Sequence, residues 1–376
     1  MENYRLNVLL VAEGSGGHVI PALQVARTLA TRGARIRMWY AQRRAIQPLM
    51  QALVEQTGRD GIDISTIPVD ANTGLLGRLR QCGRLWSEAQ RCFETFSPDV
   101  VVGFGGWVSA PVVMAAKRRR IRCVLHEQNV ELGRANRWLS PWVDRVAVSF
   151  KETEQALSGR RTVTTGLPIR KAIGSVSRDA AATRYALSPE QPTLAIFGGS
   201  QGARAINRLM IEAAASLTPE ECCRWQILHV SGEADDAALR DAYARAQIRA
   251  RTMPFLTDME TAYALADVAI ARAGASTIAE LIRCAVPSIL IPYPHAGGHQ
   301  RANARVIKAA GGGMVLEEAQ ATPARLVEAI RRMMHDPDAQ HARRERLRAL
   351  QDGDASQRLS DAIEDVAQAA GRGRRA

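Results

Sequence analysis

The sequence predicts an α/β protein made of two doubly wound units, each a parallel sheet with helices on both faces. Short β-rich runs alternate with helix-like segments along most of the chain, as in βαβ units. Two glycine-rich turns, at residues 14–18 and 198–202, each follow an apolar run and precede a helix-like segment. The length of 376 residues is also typical of two domains.

The first half of the chain shows the alternation most clearly. Strands are predicted at Asn7–Val11, Arg35–Tyr40, Asp63–Val69, Val100–Val102, Arg122–Leu125, Arg145–Val148 and Thr162–Thr165. Helices are predicted to begin near Val19, Leu76, Pro111 and Arg134. The uncharged stretch 100–116 is short for a membrane span and is broken by glycines. We therefore predict a strand, a glycine loop and a helix start there.

The segment 166–174 interrupts the alternation, which then restarts. Residues 193–214 repeat the opening order of strand, glycine turn and helix. Further strands are predicted at Trp225–Val230, Asp267–Ala271 and Pro287–Ile291, and helices at Asp258–Ala266, Ser276–Cys284, Gln300–Ala310 and Pro323–His335. We predict an N-terminal unit over residues 1–168, a C-terminal unit over 169–350 and a helical tail over 351–376.

Composition and charge restrict the class of protein. The formal net charge of +12 allows an anionic partner, which could be nucleic acid, a membrane surface or a phosphorylated substrate. The six cysteines form no CxxC pair and have no metal-ligand spacing, which favours a reducing compartment. The N-terminus has no signal-peptide pattern. We expect a soluble protein or one bound to a membrane surface.

The two glycine turns match neither common nucleotide fingerprint. The first has Val19 where the dinucleotide motif needs its third glycine, and the second has no Lys-Ser/Thr after its last glycine. Both still place backbone N–H groups at a helix N-terminus, which favours anionic oxygens. The alternative is a tight turn without a ligand, but two turns in matched positions favour phosphate binding.

Two further segments are candidates for function. Residues 274–277 are predicted to open a helix, and the spacing of Thr277 and Glu280 is typical of a capping box. Glu280 could instead face the hydroxyls of a sugar, although the spacing alone favours the cap. The loop from His126 to Asn129 follows a strand, where loops often carry function. A structural loop histidine is the alternative for His126.

Taken together, these segments resemble the MurG family, the peptidoglycan N-acetylglucosaminyltransferases of bacteria. The matching motifs, in chain order, are GSGGH, GFGGWVSAP, LHEQN, GLPIR, FGGSQGARAIN, FLTDM, AYALADVAIARAGASTIAE and HQRANA. The resemblance implies a GT-B fold, with two Rossmann-like domains facing across a cleft. It also implies inverting transfer of GlcNAc from UDP-GlcNAc to the 4-hydroxyl of MurNAc in lipid I, which forms lipid II.

The resemblance implies a set of residues that bind UDP-GlcNAc. In this sequence they are Ser15, Gly16, Gly17, Asn129, Arg170, Ser200, Leu256, Ala275, Ser276, Thr277, Ile278, Ala279, Glu280 and Gln300. Within this set, Glu280 would bind the ribose, Leu256 the uracil and Gln300 the sugar. The sequence departs from the usual family pattern at Glu13, at Leu167 and at Gly297–Gly298.

Inverting transfer needs a base for the acceptor hydroxyl and stabilisation of the departing diphosphate. His18 is the candidate base, because a neutral imidazole accepts a proton near neutral pH; a role in orienting the turn is the alternative. Glu127 is the other candidate base. The two DxD sequences, 336–338 and 352–354, fall in the C-terminal helical region and fit helix caps or surface acids. We therefore predict no metal and no other cofactor.

The lipid-linked acceptor implies work at a bilayer surface. Residues 75–86 place Leu75, Leu79, Cys82 and Trp86 at helical spacing, with Arg78, Arg80 and Arg84 nearby. This pattern suits an interfacial helix on anionic headgroups, with 117–120 adding charge. An ordinary surface helix is the alternative. We expect a peripheral protein on the cytoplasmic face of the bacterial inner membrane, whose partners can include cell-wall synthesis proteins.

Two other functions fit part of the sequence. A UDP-GlcNAc 2-epimerase shares a two-Rossmann nucleotide-sugar fold and would act without a lipid acceptor. A basic nucleic-acid-binding protein fits the charge, but the sequence contains no aromatic stacking motif or known binding module. We therefore expect no nucleic-acid partner.

Overall fold

The computed structural model describes residues 5–41, 61–69, 74–157, 161–198 and 204–373. The chain divides into a first unit, formed by residues 1–170 and 353–376, and a second unit, formed by residues 171–352. Each unit is a parallel sheet with helices on both faces, which confirms the predicted fold class.

The first unit has a seven-stranded parallel sheet in the order β3-β2-β1-β4-β5-β6-β7. Its strands are β1 (Asn7–Ala12), β2 (Arg35–Ala41), β3 (Asp63–Ile67), β4 (Val100–Gly103), β5 (Arg122–Glu127), β6 (Arg145–Val148) and β7 (Thr162–Thr164). Its first helices are α1 (Gly16–Thr31), α2 (Leu75–Phe96), α3 (Ser109–Arg118), α4 (Arg134–Leu139) and α5 (Lys151–Ala156). The stretch 100–116 is the predicted strand, glycine loop and helix start.

The position of β1 in the sheet explains why its sequence is apolar from Val8 to Ala12. Val8 and Leu10 face one buried cluster, and Leu9 and Val11 face the cluster on the other side of the sheet. A strand covered by helices on both faces needs apolar residues at every position. Strand β1 pairs with both β2 and β4. The order of the strands reverses between β1 and β4, and this switch point is where open α/β sheets bind ligands.

The second unit has a six-stranded parallel sheet in the order β10-β9-β8-β11-β12-β13. Its helices are α6 (Arg178–Tyr185), α7 (Arg204–Ala214), α8 (Pro219–Arg224), α9 (Asp236–Arg245), α10 (Met259–Leu265), α11 (Ala275–Arg283), α12 (His299–Ala309), α13 (Pro323–Met334) and α14 (Pro337–Arg348). Its strands are β8 (Thr193–Phe197), β9 (Gln226–Val230), β10 (Arg249–Met253), β11 (Val268–Ala271), β12 (Ser288–Leu290) and β13 (Gly313–Val315). The switch point lies between β8 and β11.

The last helix, α15 (Ala355–Gly373), belongs to the first unit. Leu359, Ile363 and Val366 of this helix are buried in the same cluster as Val25 of α1. The described part of the predicted tail, up to residue 373, therefore covers one face of the first sheet, on the same side as α1. Among the described residues, no helix is long and apolar enough to span a membrane.

The sequence analysis does not predict several short elements. The strands β10 and β13 lie at the two edges of the second sheet. β10 reads RARTM and β13 has only three residues, so neither shows the apolar run of a central strand. The helices α5, α6, α8 and α9 are also outside the predictions. α5 and α8 have only six residues each, and the charged, alanine-rich sequences of α6 and α9 have little apolar periodicity.

Candidate active site

The first glycine turn lies at the switch point of the first sheet, between the end of β1 and the start of α1. Ser15 is the N-cap of α1, yet its side chain makes no capping hydrogen bond to the backbone. Its hydroxyl instead lies 2.5 Å from Nδ1 of His18. The first turn of α1 contains no acidic residue, so the positive end of the helix dipole stays available to an anion.

The loop after β4 packs against this turn, on the other side of the switch point. A Cβ atom at Gly105 would lie 3.3 Å from Nε2 of His18, which places the imidazole ring against the loop backbone. Gly106 has φ +77°, and a Cβ there would overlap the side chain of Glu13. The departure at Glu13 therefore adds a side chain that packs against Gly106 of this loop.

Glu127 ends β5 and organises the loop that carries Asn129. Its side chain accepts hydrogen bonds from the backbone N–H of Asn129 (3.0 Å) and of Gly133 (2.9 Å). It also accepts from the side-chain amides of Asn129 (3.2 Å) and Asn136 (2.8 Å). Glu127 is only 1% exposed. Its carboxylate thus accepts hydrogen bonds from four N–H groups, three in the loop and one on α4.

His126 is fully buried beside this network. Its Nε2 lies 3.3 Å from the carbonyl oxygen of Gly166, and the amide of Gln128 lies 3.1 Å from its Nδ1. Burial lowers the pKa of His126 to about 4, and the nearby His18 acts in the same direction. These partners fit a neutral imidazole that donates from Nε2 and accepts at Nδ1, which is a structural role.

In the second unit, α11 begins at the switch point, directly after β11. Its N-cap is Gly274, so Thr277 lies inside the helix and the predicted capping box of Thr277 with Glu280 is wrong. The helix starts before Ser276 because a glycine in extended conformation already ends the loop. The hydroxyl oxygen of Ser276 is buried and has no hydrogen-bond partner among the described residues. Buried polar atoms are normally satisfied, so this hydroxyl indicates a place for a ligand oxygen.

Glu280 lies one turn further along α11 and is buried. The hydroxyl of Tyr263, on α10, donates a hydrogen bond of 2.9 Å to its Oε2. Tyr263 is also buried, and its ring packs edge-on against Phe197 at the end of β8. The sequence analysis missed Tyr263. It belongs to one of the quoted motifs, but no spacing signal links it to Glu280.

Gln300, in the first turn of α12, joins two loops at the same edge of the sheet. Its Oε1 accepts hydrogen bonds from the backbone N–H of Ala273 (3.1 Å) and of Tyr293 (2.9 Å). Asn303, one turn on, donates to the carbonyl oxygen of Ala273 at 3.1 Å. Because Oε1 has two backbone donors, the amide orientation is fixed and its NH₂ group is the donor left for another partner.

The other expected residues fall at different places. Gly16 and Gly17 open α1, and Ala275, Ile278 and Ala279 lie on α11. Leu256 is half-buried in the loop before α10, and Arg170 is half-buried at the end of the first unit. Ser200 lies outside the described residues. Gly298, with φ +87°, is the N-cap of α12, so the family departure at this position is a left-handed turn that favours glycine.

The two DxD sequences have structural partners. Asp336 is the N-cap of α14 and accepts a hydrogen bond from the backbone N–H of Ala339. Asp354 accepts from the N–H groups of Ser356 and Gln357 at the start of α15. These acids therefore cap helices, as the sequence analysis expects.

Comparisons with known proteins cover both units. The model of the glycosyltransferase family 28 N-terminal domain matches residues 8–148, and that of the family 28 C-terminal domain matches residues 193–363. The chain is 38% identical over 331 residues to a UDP-N-acetylglucosamine–N-acetylmuramyl-(pentapeptide) pyrophosphoryl-undecaprenol N-acetylglucosamine transferase of Syntrophotalea carbinolica, covering 86% of this chain and 89% of the relative. It is 34% identical over 373 residues to the protein of the same name from Mesorhizobium japonicum, covering 96% of this chain and 95% of the relative.

A solved structure gives the same result. The crystal structure of Acinetobacter baumannii MurG aligns with a TM-score of 0.75 and 25% sequence identity, over 96% of this chain and 100% of that one. The fold, the family models and the relatives agree over most of the length. The chain therefore belongs to glycosyltransferase family 28 and, within it, to the MurG family.

Proposed function

We propose that this chain transfers GlcNAc from UDP-GlcNAc to the 4-hydroxyl of MurNAc in lipid I, with inversion at the anomeric carbon, and so forms lipid II for peptidoglycan synthesis. The observation that carries the proposal is the placement of the family motifs. The motifs follow strands at the carboxyl edge of each sheet, and among them the first glycine turn, the loop after β4 and the start of α11 lie at the switch points. The names of the two relatives give UDP-N-acetylglucosamine as the donor and N-acetylmuramyl-(pentapeptide) pyrophosphoryl-undecaprenol as the acceptor.

The second unit would bind the donor. The N-terminus of α11 and the buried Ser276 hydroxyl provide donors for the diphosphate. The carboxylate of Glu280 would accept hydrogen bonds from the ribose hydroxyls, and the NH₂ group of Gln300 would donate to the sugar. Leu256 would contact the uracil, and Arg170 and Ser200 would meet the phosphates. These assignments follow the family resemblance and are compatible with the geometry around Glu280 and Gln300.

The first unit would supply the base. His18 lies at the end of the glycine turn. Its Nδ1 is within hydrogen-bonding distance of the Ser15 hydroxyl, and the side of the ring that carries Nε2 packs against the loop after β4. If Nδ1–H donates to Ser15, Nε2 holds the lone pair that takes the proton of the acceptor hydroxyl. Glu127 fits this role less well, because its carboxylate is buried under four hydrogen bonds. We therefore favour His18 as the base.

The acceptor implies a membrane-facing surface, and α2 offers one. In its first turns Leu76 is 75% exposed and Leu79 is 59% exposed, beside the exposed Arg78, Arg80 and Arg84. Leu85, further along the helix, faces the core, whereas Cys82 and Trp86 are half-buried; the Leu75 side chain lies outside what the structure describes. The amphipathic pattern therefore covers two environments: the start of α2 is exposed to solvent, and its later part packs on the sheet.

Two exposed tryptophans lie near the end of another helix that packs on the same face of the sheet. Trp138 and Trp142, at and after the end of α4, are each 58% exposed. The helices α2, α3 and α4 contribute to one apolar cluster on the same face of the sheet. Tryptophan and arginine are favoured at membrane interfaces. We place this face on the cytoplasmic leaflet of the bacterial inner membrane, where cell-wall synthesis proteins would also be found.

One incubation distinguishes the proposed reaction from its rivals. The protein is incubated with UDP-GlcNAc, with and without a lipid I analogue, and both the lipid and the nucleotide sugars are analysed. We expect GlcNAc on the lipid and release of UDP only when the acceptor is present. UDP-ManNAc formed without acceptor would support the epimerase, and no turnover in either reaction would contradict both enzymes. The absence of a metal requirement stays a prediction.

A further inference from the structure

We infer that Tyr263 is a positioning residue that orients Glu280 and thereby sets the preference of the donor site for ribose over 2-deoxyribose. The inference rests on the proposed placement of the donor ribose at Glu280. It starts from one contact, the 2.9 Å hydrogen bond from the Tyr263 hydroxyl to Oε2 of Glu280. Nothing in the spacing of the family motifs assigns a role to this tyrosine.

Burial makes this contact rigid. Tyr263 is 2% exposed and Glu280 is 8% exposed, so neither side chain can swing into solvent without leaving its packing. The ring of Tyr263 lies 5.1 Å, centroid to centroid, from that of Phe197, the last residue of β8. A hydrogen bond to a carboxylate is stronger than one between neutral groups. The tyrosine therefore fixes the rotation of the carboxylate relative to both β8 and α11.

The fixed carboxylate has a chemical consequence for the nucleotide. A carboxylate accepts hydrogen bonds, and the two ribose hydroxyls are donors of matching geometry. A site built to bind a hydroxyl rejects an analogue without it, because the acceptor is then left desolvated and unpaired. The rejection depends on orientation, since a carboxylate free to rotate would find another donor. Tyr263 supplies that orientation without touching the nucleotide.

The test compares binding of UDP and of 2′-deoxy-UDP by calorimetry in four proteins: wild type, Tyr263→Phe, Glu280→Gln and Tyr185→Phe. Tyr185 is the matched control, because it is a buried tyrosine on α6, the helix that packs against α10. Thermal melting confirms that each variant is folded. We expect Tyr263→Phe to lower the ratio of the affinity for UDP to that for 2′-deoxy-UDP by about tenfold, mainly because UDP binds more weakly. Tyr185→Phe should keep the wild-type ratio.

The outcomes separate the inference from the proposed function. If Glu280→Gln lowers the ratio of the affinities for UDP and 2′-deoxy-UDP and Tyr263→Phe does not, the ribose site is supported and the role of Tyr263 is overturned. If neither variant changes the ratio, the ribose does not lie at Glu280 and the proposed donor site fails as well. If Tyr263→Phe and Tyr185→Phe narrow the ratio equally, the effect comes from packing and the inference is again overturned.

Discussion

The hydroxyl of Ser15 lies 2.5 Å from Nδ1 of His18, one turn into α1. This contact is unusual for an N-cap serine, whose oxygen normally accepts a hydrogen bond from the helix backbone. Here the hydroxyl serves the imidazole, and the helix N-terminus has no side-chain cap. The contact involves Nδ1 of the ring, so we expect Nε2 to be the proton acceptor.

Replacing His18 by alanine tests the role of the ring. If His18 is the base, His18→Ala should lower kcat by about a hundredfold or more, because general-base catalysis contributes about that much. The KM for UDP-GlcNAc should change little. Steady-state kinetics with a lipid I analogue measure both values. A near-normal kcat would remove His18 from this role.

Ser15 allows a finer test of the same site. Ser15→Ala should lower kcat by about tenfold, because the imidazole loses the partner that selects its tautomer. Ser15→Thr keeps the hydroxyl and should stay near the wild-type kcat. Equal behaviour of the two variants would show that the hydroxyl has no such function.

The sequence predicts the fold well where residues carry their own signal. β1 is apolar at nearly every position, and the glycine turn after it marks the start of α1. The same reasoning fails for β10, whose alternating arginines belong to a sheet edge. It also fails for Thr277 and Glu280, where a capping-box spacing occurs inside a helix that Gly274 begins earlier.

The site was predictable only as far as the family motifs reach. The motifs identify Ser15, His18 and Glu280, but they do not show the partners of these residues. The contact of Tyr263 with Glu280 depends on how α10 packs beside α11, which is a property of the tertiary fold. The four donors to Glu127 likewise meet only when the loop after β5 is folded.

Glu127 should therefore matter for folding of this loop. In Glu127→Gln, an NH₂ group faces the donors of Gly133 or Asn136, and at least one buried donor loses its acceptor. We expect a loss of about 2–3 kcal/mol in the free energy of unfolding, measured in urea. Glu131→Gln, at an exposed position of the same loop, is the control and should have a small effect. An unchanged stability of Glu127→Gln would contradict this account.

The exposed start of α2 should bind anionic membranes. Replacing Leu76 and Leu79 together by serine removes the apolar side chains, and reversing Arg78, Arg80 and Arg84 to glutamate removes the attraction to headgroups. Both variants should bind phosphatidylglycerol-containing vesicles at least about tenfold more weakly in sedimentation, given about 1 kcal/mol per basic residue. Leu350→Ser, at an exposed leucine of the second unit, is the control. Wild-type binding by the α2 variants would refute this membrane surface.

Two buried histidines predict how stability depends on pH. Burial lowers the pKa of His126 to about 4 and that of His229 to about 3. In the unfolded chain the pKa of a histidine is about 6.5. Below that value the unfolded state binds protons that the folded state does not, so stability falls as the pH falls. Between pH 7 and pH 5, each histidine should remove about 2 kcal/mol from the free energy of unfolding.

The histidine in the second unit can be tested separately, because its partners are known. His229 bonds through Nδ1 to the Tyr243 hydroxyl (2.7 Å) and through Nε2 to Oδ1 of Asn207 (3.0 Å). His229→Asn should be less stable than wild type at every pH. Between pH 7 and pH 5, however, its free energy of unfolding should fall by about 2 kcal/mol less than that of wild type. Urea unfolding at the two pH values measures this difference. His341→Asn, at an exposed position, should keep the wild-type loss. An equal loss in His229→Asn and wild type would show that protonation of this imidazole does not control the acid sensitivity of the second unit.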